Sequence, residues 1–128
     1  MIVVDTNVMV HLLTGAGPGE KAVRHLLEDP EWAAPTVLLS ELRNVVVGMV
    51  RSGRMDAADA GAICRDAEEI LGDRITSVPS DQVLNEALRG NLSAYDAEFV
   101  VLARRLNVPL LTADRAIREA VPELAVGV

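Results

Sequence analysis

LSAYDAEFVVLARRLNVPLLTADRAI, residues 92–117, holds a helix, a strand and the start of a second helix in one uninterrupted stretch. Ser93 stands where a helix cap belongs, and Asp96 follows three positions later in the manner of a capping box, where Glu or Gln is the usual partner. Phe99, Leu102, Ala103 and Leu106 then recur at helical spacing, which predicts an amphipathic helix over Ser93–Leu106. Leu110–Thr112 predicts a short strand, and Asp114–Ala120 a short helix behind it. A strand entered from one helix and left through another belongs to a parallel sheet, because parallel neighbours need a crossover connection.

The rest of the chain repeats that alternation. Ile2–Val4 is a β-rich run ending on Asp5-Thr6-Asn7, three residues suited to starting a helix. Glu20–Glu28 carries Ala22, Val23, Leu26 and Leu27 at helical spacing, Trp32–Ala34 is a strand-like link closed by Pro35, and a long helix runs from about Val37 to Val50 before a Ser52-Gly53 stop. Asp56–Leu71 is a further helix, Ile75–Val78 a strand ended by Pro79, Ser80–Leu88 another helix and Leu124–Val126 a final edge strand. No internal repeat, linker or low-complexity tract interrupts this order. The expected fold is α/β, a three-layer α/β/α sandwich around a central, mostly parallel sheet, with residues 1–128 forming a single domain.

Half of the 128 residues are apolar, enough for a core that needs no covalent staples. Cys64, the only cysteine, excludes an internal disulfide framework and a thiolate-rich zinc site, and it fits a reducing cytosol. The opening MIVVDTNVMVHLL has no basic leader, carries Asp5 inside its apolar run and falls well short of the roughly 20 apolar residues of a membrane span. A soluble, cytoplasmic protein without a membrane partner is expected. The formal net charge of -7 predicts weak nonspecific affinity for nucleic acid, which is held mainly through Lys and Arg on phosphates. Arg43, Arg51 and Arg54, gathered on one segment, soften that prediction.

In open parallel sheets the site lies at the carboxyl ends of the strands. Asp5 directly follows Ile2–Val4, and Asp114 follows Leu110–Thr112 with one residue between. If those strands are neighbours, about 4.8 Å apart, the two carboxylates reach one ion; alternatively each aspartate merely caps the helix it precedes. Glu41 projects from the helix face that carries Leu38, Leu42, Val45, Val46 and Met49, so it either reaches water at the stripe's edge or meets a cation; Arg43, Arg51 and Arg54 could neutralise it or form a solvated face. Asp96 can cap its helix and still point an oxygen into a cleft. Four carboxylates brought together repel and take up protons unless a cation joins them, and hard oxygen ligands favour magnesium or manganese over zinc. His11 is placed where it could line the same cleft, although a lone histidine on a first helix is more often a packing or surface residue, and His25 reads as surface. Gly15-Ala16-Gly17-Pro18-Gly19 lacks the Lys and Ser or Thr of a phosphate cradle and reads as a flexible turn.

MIVVDTNVMVHLL, LLSELRNVVVGMV and the quoted stretch, in that order, resemble the PIN-domain ribonucleases, and especially the VapC-like toxins of bacterial toxin-antitoxin pairs. The specific parts are Asp5-Thr6-Asn7, Glu41, Ser93-Ala94-Tyr95-Asp96-Ala97 and Thr112-Ala113-Asp114. The resemblance implies a metal-dependent endoribonuclease in which Asp5 and Asp96 are the principal ligands of Mg2+ or Mn2+, Asp114 and Glu41 complete the acidic cluster, and Asn7, Thr112 and Thr6 are polar supports. It also implies an RNA substrate, a homodimer, and a hetero-oligomer with a VapB-like antitoxin whose tail blocks the cleft. Two other classes compete. A phosphoacceptor receiver domain shares the length and an acidic strand-end site, but it needs a late lysine, and Lys21 is the only one and lies early. A noncatalytic binding module of the same fold would be free to lose an acid, and none is lost.

Overall fold

The apolar run Ile2–Val4 becomes the middle strand of a five-stranded sheet. The computed structural model describes residues 1–128. It contains β1 (Ile2–Val4), α1 (Thr6–Thr14), α2 (Gly19–Glu28), β2 (Trp32–Pro35), α3 (Val37–Arg51), α4 (Ala57–Leu71), β3 (Ile75–Thr76), α5 (Ser80–Gly90), α6 (Ala94–Leu106), β4 (Leu110–Thr112), α7 (Arg115–Ala120) and β5 (Ala125–Gly127). All pairings are parallel and the strand order is β3-β2-β1-β4-β5. The adjacency assumed for the first and fourth strands therefore holds, with Val3 opposite Leu110 and Val4 opposite Leu111. Val3, Val4, Leu110 and Leu111 are wholly buried, as strands covered on both faces must be.

Right-handed crossovers put α1 to α4 on one face and α5 to α7 on the other, because the chain steps outward from β1 in one direction and later returns past it. The packing agrees: α1 lies against α2, α3 and α4, while α5 lies against α6, and α6 crosses β1, β2 and β4. The order reverses at β1, so the crevice outside the carboxyl ends of β1 and β4 is the topological switch point. Helix ends follow local chemistry. Asp5, Asp56, Ser93 and Asp114 accept from backbone N–H groups as caps, and Asn91 and Asn107, at φ of 51° and 54°, close α5 and α6 in the left-handed conformation.

Three strands differ from expectation in their boundaries, and helix ends shift by one or two residues. The third strand holds only Ile75–Thr76 instead of Ile75–Val78, because its partners are the last residues of β2 and the chain then leaves the sheet to reach the Pro79 cap of α5. Pro35 is the last residue of β2 instead of lying beyond it. Ala34 and Thr36 donate to the β3 side, so the missing N–H of Pro35 falls on the β1 side, past the point where β1 has ended. The last strand is shifted by one residue, to Ala125–Gly127. No helix is long and apolar enough to cross a membrane.

Leu111 is fully buried in the strand beside β1. Leu111→Ala should cost about 2–5 kcal/mol, the usual range for a leucine-sized core cavity. Urea unfolding followed by circular dichroism checks it, and a loss below about 1 kcal/mol would mean that the strand end collapses around the void.

Candidate active site

Asp5 is only 5% exposed at the end of β1. Its Oδ1 accepts from Val8 N–H at 3.1 Å as the cap of α1, and its Oδ2 accepts the Thr112 hydroxyl proton in a very short contact. Thr112 is wholly buried, and its oxygen accepts from Asp114 N–H at 2.9 Å. Asp114 Oδ1 accepts from Ile117 N–H at 2.9 Å and caps α7. Capping and a place in a shared cleft thus coexist: each cap bond uses one carboxylate oxygen, and the other oxygen of Asp5 is held by Thr112.

Glu41 reaches in from the second turn of α3, and the Thr6 hydroxyl donates to its Oε1 at 2.6 Å. Asp96 sits in the first turn of α6, where its backbone N–H donates to Ser93 Oγ at 3.0 Å. The reciprocal half of a capping box, from Ser93 N–H to the Asp96 carboxylate, does not form, so both oxygens of Asp96 are available to the cleft. The four acids, with Thr6 and Asn7, share one concavity of about 110 Å³ whose apolar walls are Val45 and Phe99.

No Lys, Arg or His lines this cleft. Of the two readings of Arg43, Arg51 and Arg54, the solvated face holds and neutralisation of Glu41 does not: Arg43 is exposed and turns to Glu68, 3.8 Å away, and Arg51 and Arg54 are exposed at and just beyond the end of the helix. His11 is also absent from the cleft. Its ring packs on the Gly17 turn, where an added Cβ would lie 3.2 Å from Nε2, so the glycine-rich turn serves as a lid on that ring. Gly17 also has a φ of +54°, which disfavours any side chain there.

The uncompensated charge shows in the titration of the acids. Burial raises the Asp5 pKa above its ordinary value and the Asp114 charge adds to the rise, against the lowering effect of its Thr112 and backbone hydrogen bonds. Asp96 is raised by burial and then by the charges of Asp114, Glu41 and Asp5. Glu98, which the sequence reading passed over, is raised by burial and by Glu41. It lies two residues beyond Asp96, on the side of the helix that periodicity assigns elsewhere, so no spacing signal could have found it.

No three of the acids are drawn close enough to hold an ion by protein ligands alone. The donor set still fits a hard divalent cation. All four acidic side chains are carboxylates, none is neutralised by a neighbouring base, and magnesium commonly takes one or two carboxylates and completes its shell with water and substrate phosphate oxygens.

A PIN domain family model matches residues 2–121. Ribonuclease VapC1 of Mycobacterium tuberculosis is 31% identical over 118 residues, which cover 92% of this chain and 89% of that protein. Among solved structures, PAE2754 from Pyrobaculum aerophilum superimposes with a TM-score of 0.76 at 22% identity, over 97% of this chain and 81% of its own. A toxin-antitoxin complex from Klebsiella pneumoniae gives 0.68 at 16% identity, over 98% and 96%. At those identities the structures speak for the fold alone.

A carboxyl whose pKa is raised in the folded state binds a proton more readily there than in the unfolded chain, so folding gains stability as pH falls from neutrality towards the raised values. In chelator, thermal unfolding should therefore show a Tm that rises on mild acidification. Asp96→Asn should raise the neutral-pH Tm by roughly 4 °C, the shift that ~1 kcal/mol gives in a domain of this size, and should flatten the pH profile. An unchanged or lowered Tm would show that the acids do not strain one another.

Proposed function

The chain belongs to the PIN domain family, and from that premise we propose that it is a divalent-metal-dependent endoribonuclease acting as the toxin of a toxin-antitoxin pair, with residues 1–128 as one unit. The observation that carries the reading is the meeting of Asp5, Glu41, Asp96 and Asp114, from four separate segments, in one cleft that holds no basic side chain. The likeness to a ribonuclease named VapC1 supports the substrate class, and the fold shared with a toxin-antitoxin complex supports the partner.

Asp5, Asp96, Asp114 and Glu41 would hold Mg2+ or Mn2+, which when bound supplies Lewis-acid polarisation of the phosphodiester and the attacking water. The chain's own residues do the rest. Thr112 and Val8 N–H fix both oxygens of Asp5, and Ile117 N–H fixes one of Asp114, so these ligands are oriented before substrate arrives. Thr6 holds Glu41 towards the cleft, and Asn7 offers an exposed amide at its rim. Asp96, whose oxygens make no capping bond, keeps both available to the cleft. Val45 and Phe99 narrow the access of bulk water.

The same acidic, cation-free cleft is an electrostatic target for a basic segment of a VapB-like antitoxin, which would block it within a hetero-oligomer. Leu84 and Leu88, 57% and 84% exposed on α5, form an apolar face that a second copy would cover in a homodimer. A cytoplasmic location follows from that assignment. The receiver alternative finds no lysine at the strand ends, since Lys21 is exposed on α2.

Purified protein should cleave RNA with Mg2+ or Mn2+ and not in chelator, Asp5→Asn and Asp96→Asn should abolish cleavage, and Thr112→Val should lose roughly 10–100-fold as an orienting partner. Equal cleavage in all of these would overturn the proposal. In the same preparations, magnesium at about 100 times its Kd should add ~2.7 kcal/mol to stability, and the gain should disappear in Asp96→Asn. Intact folding with no divalent binding by calorimetry would favour a noncatalytic module instead. Expression of the chain alone should arrest growth, and expression of Asp96→Asn should not.

A further inference from the structure

The acidic cleft brings no cationic side chain to the polyanion it is proposed to cut, although RNA is held chiefly through its phosphates. A second concavity, of about 530 Å³, lies along α7, the helix that Asp114 caps. Arg115, Arg118 and Glu119 line it from the helix, and Ala125 and Gly127 line it from β5. Arg115 follows Asp114 directly and Arg118 is four residues on, so at about 1.5 Å per residue the groove opens within roughly 6 Å, along the helix axis, of the cleft's rim.

The two guanidiniums are available. Arg118 takes part in no ion pair and lies along Gly127, where an added Cβ would stand 3.5 Å from Cζ. Gly127 is the register partner of Thr112, so that arginine rests on the strand end beside the one that orders Asp5. Arg115 is held only by an exposed pair with Glu119 at 2.8 Å, which a stronger anion can displace. By contrast, Arg89 and Arg104 on the α5–α6 side are committed to the buried Glu86, at 2.7 and 2.5 Å. The groove offers no aromatic surface on which a base could stack. Its chemistry is that of a phosphate seat, for which the planar guanidinium fork is suited.

We infer that this groove is a phosphate-binding subsite in which Arg118, with Arg115, holds the backbone of a nucleotide flanking the scissile bond, and that Glu119 competes with that phosphate for Arg115. The inference rests on the ribonuclease reading. Both arginines are positioning residues, outside the acidic cleft.

The test measures anisotropy of a fluorescein-labelled, mixed-sequence, single-stranded oligoribonucleotide with the full chain carrying Asp96→Asn, so that nothing is cut, beside steady-state cleavage by the chain with Asp96 intact. Arg118→Ala should weaken binding roughly tenfold, as loss of one charge-assisted contact does, and should reduce the slope of log K against log salt by about 0.7, the value for one phosphate on a single strand. KM should rise in parallel with kcat unchanged. Glu119→Gln should act in the opposite direction and tighten binding a few-fold, a sign that a merely structural role would not give. Because Glu119 is exposed, that variant keeps the test open if Arg118→Ala perturbs folding. Cleavage that persists while both variants leave affinity and salt slope unchanged overturns the groove and leaves the ribonuclease reading standing. No cleavage by the chain with Asp96 intact, with either metal, overturns both.

Discussion

The hydroxyl of Thr112 is the constraint on which the site depends. It donates to Asp5 and accepts from the backbone of Asp114, so one buried oxygen joins the ends of two neighbouring strands and orders two acids at once. A hydroxyl has one proton to give and lone pairs to receive with, and here both capacities are used inside the protein. The sheet supplies the reason that this is possible. Val4 lies opposite Leu111, which brings the next residues of both strands to the same height, and Asp5 N–H donates to Leu111 O at 3.1 Å to hold that register. A slip of one residue would turn the hydroxyl to the opposite face of the sheet.

Around that joint, the chain holds charges where folding alone would not place them. Asp5 is buried with its pKa raised, Asp96 is raised by burial and by three neighbouring carboxylates, and Glu98 is raised by burial and by the Glu41 charge. The fold tolerates this because the strained carboxylates at the strand ends also cap helices, so the groups that repel one another are also satisfying orphan backbone donors. Local stabilisation of α1 and α7 offsets part of the repulsion in the cleft. Sites organised for a ligand commonly carry such tension, and removal of the charge relieves it together with the function.

Much of this was legible in the sequence. Period and punctuation give the order of helices and strands, and the strand-end positions of Asp5 and Asp114 rest on two short apolar runs whose adjacency had to be assumed until the pairing of β1 with β4 showed it. Glu41 was legible as a charge on an apolar face, and its Thr6 partner, 35 residues away, was not, since only the packing of α1 on α3 brings them together. Asp96 was the acid least determined by pattern, because a helix cap and a site residue look alike until the carboxylate is seen to leave the capping bond unmade. His11 and the arginines near Glu41 each admitted two readings for a common reason. Proximity along a helix does not say which way a long side chain turns, and Arg43 had Glu68 to turn to while the ring of His11 had a glycine to lie on. The pairing of Arg118 with the end of β5 depends on a strand register that no local motif encodes.

The bond between Thr112 and Asp5 spans 107 positions of the chain. On the ribosome, where the amino-terminal part folds first, the middle strand can pair with β2 early but must wait for β4 on its other side. Until the segment carrying Thr112 and Asp114 has emerged, Asp5 has no partner for one of its oxygens and the crevice has only one wall. The acidic centre therefore assembles only once β4 and the cap of α7 have emerged, and fragments that stop short of them lack it.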